Sequence, residues 1–333
     1  MSTSILSTIQ SRLNFYGYPI CMALGNIGNI FIIIIFSRQR QNACAIYLLW
    51  SAIMNDLYLT FNSFAQIFPF YYADGTIRAF AACKIRFYLS NVLGQIAKTM
   101  IVFACIDRFI ITNNSANFRA LSTPKRAKIF IILAILFWPL FASHIAIMTT
   151  ITNNRQCGTF GIYSTVYTIY TIIFVGFIPP LILGILGYLT YHNMRRMHMR
   201  IQPALSNTNE TQIYSIRRRD RELLIIVVSE VFVYVITTTA YPLILLEQMI
   251  SRYVMSVKST QYSQIESFIF TISFLLLFFN NAIPFYTYII VSKSFRNDFK
   301  GLIINCYRKL INQPPITTTR RTNLTLSQKD THI

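Results

Sequence analysis

Seven long apolar runs, separated by short polar segments, account for most of this chain. A helix rises about 1.5 Å per residue, so about 20 apolar residues cross the hydrocarbon core of a bilayer, which is about 30 Å thick. Each run meets that length, which predicts an all-α membrane protein built as a seven-transmembrane helix bundle. The predicted spans are Leu13–Ser37, Ala43–Tyr72, Ala79–Ile111, Ile129–Thr152, Phe160–Tyr191, Leu223–Leu246 and Ser267–Ser292.

Composition supports a membrane protein and excludes a soluble globular domain. Hydrophobic residues make up 54% of the chain, charged residues only 12%, and the mean hydropathy is +0.46. Soluble domains carry about 25% charged residues.

The distribution of Lys and Arg predicts the orientation, because short cytoplasmic segments carry the excess of positive charge. With the N-terminus outside, only six basic residues lie in outer segments: Arg12, Arg78, Lys84, Arg155, Arg252 and Lys258. The inner segments hold most of the others, including Arg38, Arg40, Arg119, Lys125, Arg126, Lys128, Arg195, Arg196, Arg200, Arg217, Arg218, Arg219 and Arg221. The net charge of +19 is thereby attributed to contact with anionic membrane lipid, not with nucleic acid.

This topology divides the chain into four segments. A short extracellular N-terminus covers residues 1–12, and the seven-transmembrane domain covers 13–292. A short amphipathic eighth helix, 293–306, lies on the inner leaflet, and a disordered cytoplasmic tail covers 307–333.

Two of the six cysteines are predicted to face the oxidising side. They are Cys83, at the outer start of the third span, and Cys157, in the loop after the fourth, and we expect a disulfide between them. Cys306 follows the amphipathic segment, where a palmitoylated cysteine and an unmodified thiol are equally compatible with the sequence.

Short motifs recur at fixed places along the seven spans. Asn29 ends a Gly-Asn element in the first span, Asp56 lies in the second, and Asp107-Arg108-Phe109 closes the third. The others are Trp138, the pairs Pro180–Tyr188 and Glu222–Pro242, the stretch Asn280 to Tyr288, and Phe295-Arg296. In order and spacing, including the separation of Cys83 from Arg108, these motifs resemble those of the rhodopsin-like (class A) G-protein-coupled receptors, in which Asp56 is similar to a buried aspartate.

The chain also departs from the family pattern. Pro284 stands where asparagine is expected before Tyr288, and Ala97 replaces a serine that often coordinates sodium. Ala240 replaces the tryptophan of the sixth span, and Phe109 the commoner tyrosine. The sodium site around Asp56 is therefore in doubt, although Asn280 or Asn281 could compensate.

The resemblance implies a two-state switch that activates a heterotrimeric G protein by outward movement of the sixth span. Arg108 is expected to pair with Asp107 and, across the bundle, with Glu222. The other expected switch residues are Pro180, Tyr188, Pro242 and Tyr288.

Two intramembrane charges, Lys98 and Glu230, have no counterpart in the family pattern. Both are predicted to reach similar depth, where they could pair. Alternatively, Lys98 turns toward Asp56 through water or is neutral because it is desolvated. With Asn29, Asp56, Asn280 and Asn281 they form the predicted polar core.

The resemblance also narrows the ligand class, because two residues that receptors for amines and for retinal require are absent. Ser90 occupies the position of the aspartate of amine receptors, and Phe278 that of the retinal-binding lysine. Peptides, lipids and small odorant-like molecules remain as ligands, and among these we favour an invertebrate-type peptide or chemosensory receptor. A peptide could present a carboxylate to Arg86 and an amine to Glu247. The predicted ligand-binding set is Arg86, Ser90, Asn91, Gln95, His144, Tyr167, Tyr170 and Glu247, with Glu266 nearby. His144 is equally compatible with a core histidine.

Enzyme motifs are not found: the chain has no phosphate loop, zinc-protease helix or nucleophile elbow. Its four histidines are scattered, so neither a metal nor another cofactor is expected. The alternative class is a transporter or channel that uses Asp56, Lys98 and Glu230. Transporters commonly contain two related halves, and no internal repeat is evident here.

Overall fold

The computed structural model describes residues 2–71, 80–113, 115–151, 157–201, 210–254 and 258–311. Helices form nearly all of this part of the chain, and two short strands, β1 (Thr150–Ile151) and β2 (Cys157–Gly158), pair antiparallel. The helices are Ser2–Ser37, Ala43–Tyr71, Phe80–Thr112, Ala116–Arg119, Pro124–Phe141, Ser143–Met148, Gly161–Thr171, Ile178–Ile201, Glu210–Thr238, Ala240–Val254, Thr260–Ala282, Pro284–Val291 and Lys293–Leu310, with a π-helical turn at Ile172–Phe177.

Seven helical segments of the described chain are long and apolar enough to cross a membrane, which confirms the predicted fold class. In chain order, the first to seventh spans are Ile5–Ser37, Ala43–Ala65, Phe80–Thr112, Pro124–Met148, Gly161–Thr190, Arg221–Val254 and Thr260–Ala282. After a break at Ile283, the helix Pro284–Val291 continues the seventh span.

The first and the last helix of the described chain are both longer than the apolar pattern predicted. The first helix begins at Ser2, so residues assigned to a separate N-terminal segment continue the first span. The helix after the seventh span, Lys293–Leu310, begins at the predicted residue and runs four residues past 306. Ser292 caps it by accepting a hydrogen bond from the Phe295 amide. Residues 312–333 of the predicted tail lie outside the described part of the chain.

Proline interrupts three of the spans, because it removes a backbone donor and crowds the preceding turn. Pro242 follows a break at Thr239, and Pro284 follows the break at Ile283. In the fifth span, neither Pro179 nor Pro180 can donate to the Val175 carbonyl. That oxygen instead accepts a 2.7 Å hydrogen bond from the Tyr234 hydroxyl of the sixth span.

Glycines allow the first span to approach the second and the seventh closely. A Cβ atom on Gly25 would lie 2.4 Å from Leu59 and 2.7 Å from the Ala282 side chain. One on Gly28 would lie 2.8 Å from the Cβ of Phe285. Small residues at such positions are how membrane helices gain packing contacts without a hydrophobic driving force.

The third span occupies the centre of the bundle, where it contacts the second, fourth, fifth and sixth spans. The fourth lies at the periphery and exposes Ile132, Leu136 and Leu140. Exposed aliphatic side chains on a spanning helix suit contact with lipid tails. The protected interior around the third span is therefore where polar side chains collect.

Candidate functional site

One end of the bundle is marked by a disulfide between Cys83 and Cys157, which confirms the predicted pairing. Their Cα atoms are 5.8 Å apart. Cys157 lies on β2, opposite Ile151 of β1, so the bond fixes this hairpin to the start of the third span. We refer to this end, defined by Cys83 and Cys157, as the disulfide end, and to the opposite end, defined by Asp107 and Arg108, as the Arg108 end.

A cavity of about 430 Å³ opens between the spans in the half of the bundle nearer the disulfide end. Five of the predicted ligand-binding residues line it: Arg86, Ser90, Asn91, Gln95 and Tyr167. The other lining residues are Gln10, Asn14, Tyr18, Tyr58, Asn62, Phe87, Gly94, Lys98, Thr171, Val175, Tyr241, Ser267, Phe270, Thr271, Phe274 and Leu277.

Three predicted ligand-binding residues, His144, Tyr170 and Glu247, are not among the residues that line the cavity. His144 shares a 2.8 Å hydrogen bond with Tyr163. Tyr170 donates a hydrogen bond to Asn91, so it supports a lining residue from behind. Glu247 accepts a hydrogen bond from Tyr262.

Glu266, also expected nearby, forms an ion pair with Lys258 at 2.5 Å. Local partners thus hold both carboxylates away from the cavity. The expected amine-binding position at Glu247 is therefore not part of it.

The first span contributes to the cavity, which the sequence pattern did not indicate. The Gln10 amide donates to the side-chain oxygens of Ser267, at 3.0 Å, and Thr271, at 2.9 Å. These bonds join the first and seventh spans beside the cavity. Gln10 was missed because it precedes the continuous apolar run; its only signal was its position just over one helical turn before Asn14.

Gln95 and Lys98 occupy the part of the cavity deepest in the bundle. They are one helical turn apart on the third span and therefore face the same side. Lys98 Nζ lies 4.9 Å from the centre of the Tyr234 ring, a cation–π contact between the third and sixth spans. Lys98 was predicted as a core residue, and the structure places it at the cavity as well.

A second, much smaller cavity, of about 20 Å³, lies beyond Lys98 toward the Arg108 end. Its volume corresponds to about one water molecule. Lys98 lines it as well, together with Glu230 and the pair Asn280 and Asn281. Glu230 is 5% exposed and accepts a 2.5 Å hydrogen bond from the Tyr288 hydroxyl.

Lys98 and Glu230 face this small cavity together but do not form an ion pair in the described structure: their charged atoms are not within 4.0 Å. Instead, Lys98 lies over Tyr234 and Glu230 accepts from Tyr288. The two charged side chains therefore lie at similar depth in the bundle, as expected, and each contacts an aromatic residue. Their functional coupling remains a prediction.

Asp56, predicted as a polar hub, does not line the small cavity, whereas its neighbour Asn55 does. Asp56 is half-buried, and its Oδ1 atom is buried with no hydrogen-bond partner among the described residues. Three asparagines line the small cavity: Asn55, Asn280 and Asn281. Asn29 donates to the Asn281 backbone carbonyl, at 3.2 Å, and Asn280 donates to Thr237, at 2.8 Å.

At the Arg108 end, the expected ion pair between Arg108 and Glu222 is not formed in the described structure. Arg108 donates to Asp107, at 2.6 Å, and to Asn42, at 3.1 Å. Glu222 instead accepts from the Ser292 hydroxyl, at 2.7 Å, and the Ser294 amide, at 3.3 Å. The sixth span is thus tied to the start of the helix Lys293–Leu310, while Arg108 bonds within the third span and to the segment before the second.

The remaining switch candidates divide by location. Tyr288 and Pro242 are buried within the bundle, and Pro180 is half-buried. Tyr188 faces outward, with 68% of its surface exposed, and stacks on His192. In this structure Tyr188 therefore lies at the periphery of the bundle, and its part in the switch remains a prediction. Cys306 is exposed on the helix Lys293–Leu310, as a lipidated residue would need to be.

These features define a polytopic helical receptor: seven spans, a disulfide-bound hairpin above a cavity, and a buried Asp-Arg pair at the opposite end. Residues 28–284 match the family model of the seven-transmembrane receptor, rhodopsin family. The chain belongs to that family, whose members are receptors rather than enzymes, and it is a multi-pass protein of the plasma membrane. No curated protein matches the chain.

Proposed function

We propose that this protein is a G-protein-coupled receptor whose extracellular ligand binds in the large cavity and whose Arg108 end activates a heterotrimeric G protein. In this proposal the N-terminus and the disulfide end are extracellular, as the distribution of Lys and Arg predicts. The ligand is a peptide or a chemosensory small molecule. The sixth span moves outward at the Arg108 end when the ligand binds.

The observation that carries the proposal is that Lys98 lines both cavities. A ligand that contacts Lys98 would change the free energy of its contact with Tyr234. Tyr234 binds the Val175 carbonyl of the fifth span, and Glu230, one turn away, binds Tyr288. A shift at Lys98 would therefore reach these two contacts, which join the sixth span to the fifth and to the seventh.

The sixth span has a hinge between these contacts and the disulfide end. Its helix breaks at Thr239, ahead of Pro242. Below the hinge, toward the Arg108 end, Glu222 holds the span to Ser292 and Ser294. Outward movement would require this contact to break, so Glu222 acts in the proposal as a latch to the helix Lys293–Leu310 rather than to Arg108.

The experiment measures ligand-independent signalling, because the ligand is unidentified. The full chain is expressed in cells with each class of Gα subunit, and G-protein dissociation is followed by energy transfer at matched surface expression. We expect basal coupling to at least one class and its loss in Arg108→Ala. Arg126→Ala, an exposed position on the fourth span, is the matched control. Ion or solute flux without coupling to any Gα class would instead favour the transporter or channel alternative.

A further inference from the structure

Two basic side chains line the large cavity. Arg86 and Lys98 both line it, 12 residues or about 18 Å apart along the third span. None of the described residues that line it is an aspartate or a glutamate. Glu230 lies beyond Lys98 in the small cavity and accepts a hydrogen bond from Tyr288.

Gln95 adds a hydrogen-bond donor beside Lys98. Its side chain is 3% exposed, and its Nε2 atom makes no hydrogen bond within 3.5 Å among the described residues, with the Tyr170 hydroxyl as its neighbour at longer range. A buried donor without a partner costs free energy, and a bound acceptor would recover it. Because Gln95 and Lys98 are one turn apart on the same face, a single oxygen-bearing group can meet both.

The rest of the wall is largely apolar and aromatic. Tyr58, Tyr241, Phe270, Phe274 and Leu277 line the same cavity as Gln95 and Lys98. A volume of about 430 Å³ lies at the lower end of the range for small-molecule pockets. The space therefore suits a compact apolar body rather than a folded peptide.

We propose that the large cavity binds a small organic acid whose carboxylate bonds Gln95 Nε2 and Lys98 Nζ and whose apolar body packs among the aromatic side chains. This inference rests on the proposed function, because it names the ligand class of the same cavity. A cationic ligand would place its charge beside Lys98 with no lining carboxylate to receive it. An amide would bring no negative charge to Lys98, so its hydrogen bonds there would be weaker than those of a carboxylate.

The test uses the purified full chain in lipid nanodiscs and measures its thermal unfolding. The probes are phenylpropionate, indolepropionate and decanoate, each with the primary amide and the primary amine of the same carbon skeleton. Ligands that bind the folded state raise the midpoint in proportion to the logarithm of their concentration above the dissociation constant. We expect at least one acid to do so saturably, while its amide and amine do not.

Variants then locate the carboxylate. Lys98→Gln should weaken binding of that acid about tenfold or more, and Gln95→Leu should weaken it less, because a hydrogen bond to a charged group is stronger than one between neutral groups. Lys98→Arg should retain binding. Lys84→Gln is the matched control, since Lys84 is on the same span but donates to the Ile147 carbonyl outside the cavity.

Three results would overturn the inference: stabilisation by the amines or amides in place of the acids, no stabilisation by any of the acids, or equal acid binding to wild type and Lys98→Gln. The first two results are obtained with the wild-type protein, so the inference can be tested even if a variant does not fold. Binding and coupling are measured separately. If the protein couples to a G protein but binds no acid, this inference alone is refuted. If it binds acids but couples to no G protein, the proposed function is refuted.

Discussion

The Tyr288 hydroxyl donates a 2.5 Å hydrogen bond to the Glu230 carboxylate, and this contact joins the sixth span to the seventh inside the bundle. Both side chains are buried. The bond satisfies one acceptor of an intramembrane carboxylate, a group that is costly to leave without partners. It therefore contributes to the stability of the conformation described here.

Tyr288→Phe should lower the stability of the receptor by about 1–3 kcal/mol, the usual cost of removing the partner of a buried polar group. Glu230→Gln should cost less, because its amide oxygen can still accept from Tyr288. Thermal unfolding of the purified protein measures both. Tyr286→Phe is the control, since Tyr286 donates to the Leu24 carbonyl in an exposed position. Equal losses for Tyr288→Phe and Tyr286→Phe would show that the buried bond contributes nothing specific.

Glu222→Gln should raise ligand-independent signalling. The substitution weakens the charge-assisted bonds from Ser292 and Ser294, worth about 1 kcal/mol for a partly exposed pair, so the active fraction should rise up to about fivefold. Energy transfer between G-protein subunits, at equal surface expression, measures the change. Arg221→Gln alters charge at the adjacent exposed position and should leave signalling unaltered. Unchanged basal signalling in Glu222→Gln would remove this residue from the switch.

Gly25→Ala should destabilise the bundle by about 1–3 kcal/mol, because the added methyl group overlaps Leu59 and Ala282 and forces the first span outward. Gly184→Ala provides the comparison, since no atom lies within 4 Å of a Cβ at that position. There alanine should be neutral or slightly stabilising, owing to its higher helix propensity. Thermal unfolding midpoints of the two variants test this prediction. Similar midpoints would contradict close packing at Gly25.

Cys83→Ser and Cys157→Ser should each reduce stability by about 4 kcal/mol, the chain-entropy value for a closed loop of this length, with a sequence separation of 74. The double variant should be no worse than either single one, because both lose the same bond. Cys306→Ser, at an exposed free cysteine, should leave stability unchanged. Mass spectrometry of surface-expressed protein that found both thiols free would refute the disulfide.

The sequence predicted the spans and the disulfide because both depend on one-dimensional properties: run length, charge distribution and the side of the membrane. Rotation of each helix about its axis is not encoded so directly. Asn55 and Asp56 are neighbours in an apolar run, and about 100° of rotation separates the side chain that lines the small cavity from the one that does not. The outward position of Tyr188 has the same origin, since the helix after Pro180 sets its direction.

Contacts between spans were predicted less well than the spans themselves. Arg108 and Glu222 stand at matching ends of their helices, yet each finds nearer partners, Asp107 and Ser292. Gln10 reaches the seventh span because the first helix starts at Ser2, well ahead of the apolar run. These outcomes depend on distances between helices, and no local pattern in the chain specifies them.

Ser292 uses one hydroxyl group for two purposes. Its oxygen accepts a hydrogen bond from the Phe295 amide, and its O–H donates a hydrogen bond to the Glu222 carboxylate. A hydroxyl has a single proton but two lone pairs, so both bonds coexist. Threonine could preserve the two bonds, whereas alanine removes them together. A displacement of Glu222 would therefore also move Ser292 and disturb the first turn of the helix that carries Cys306. The two hydrogen bonds of Ser292 are coupled in this way.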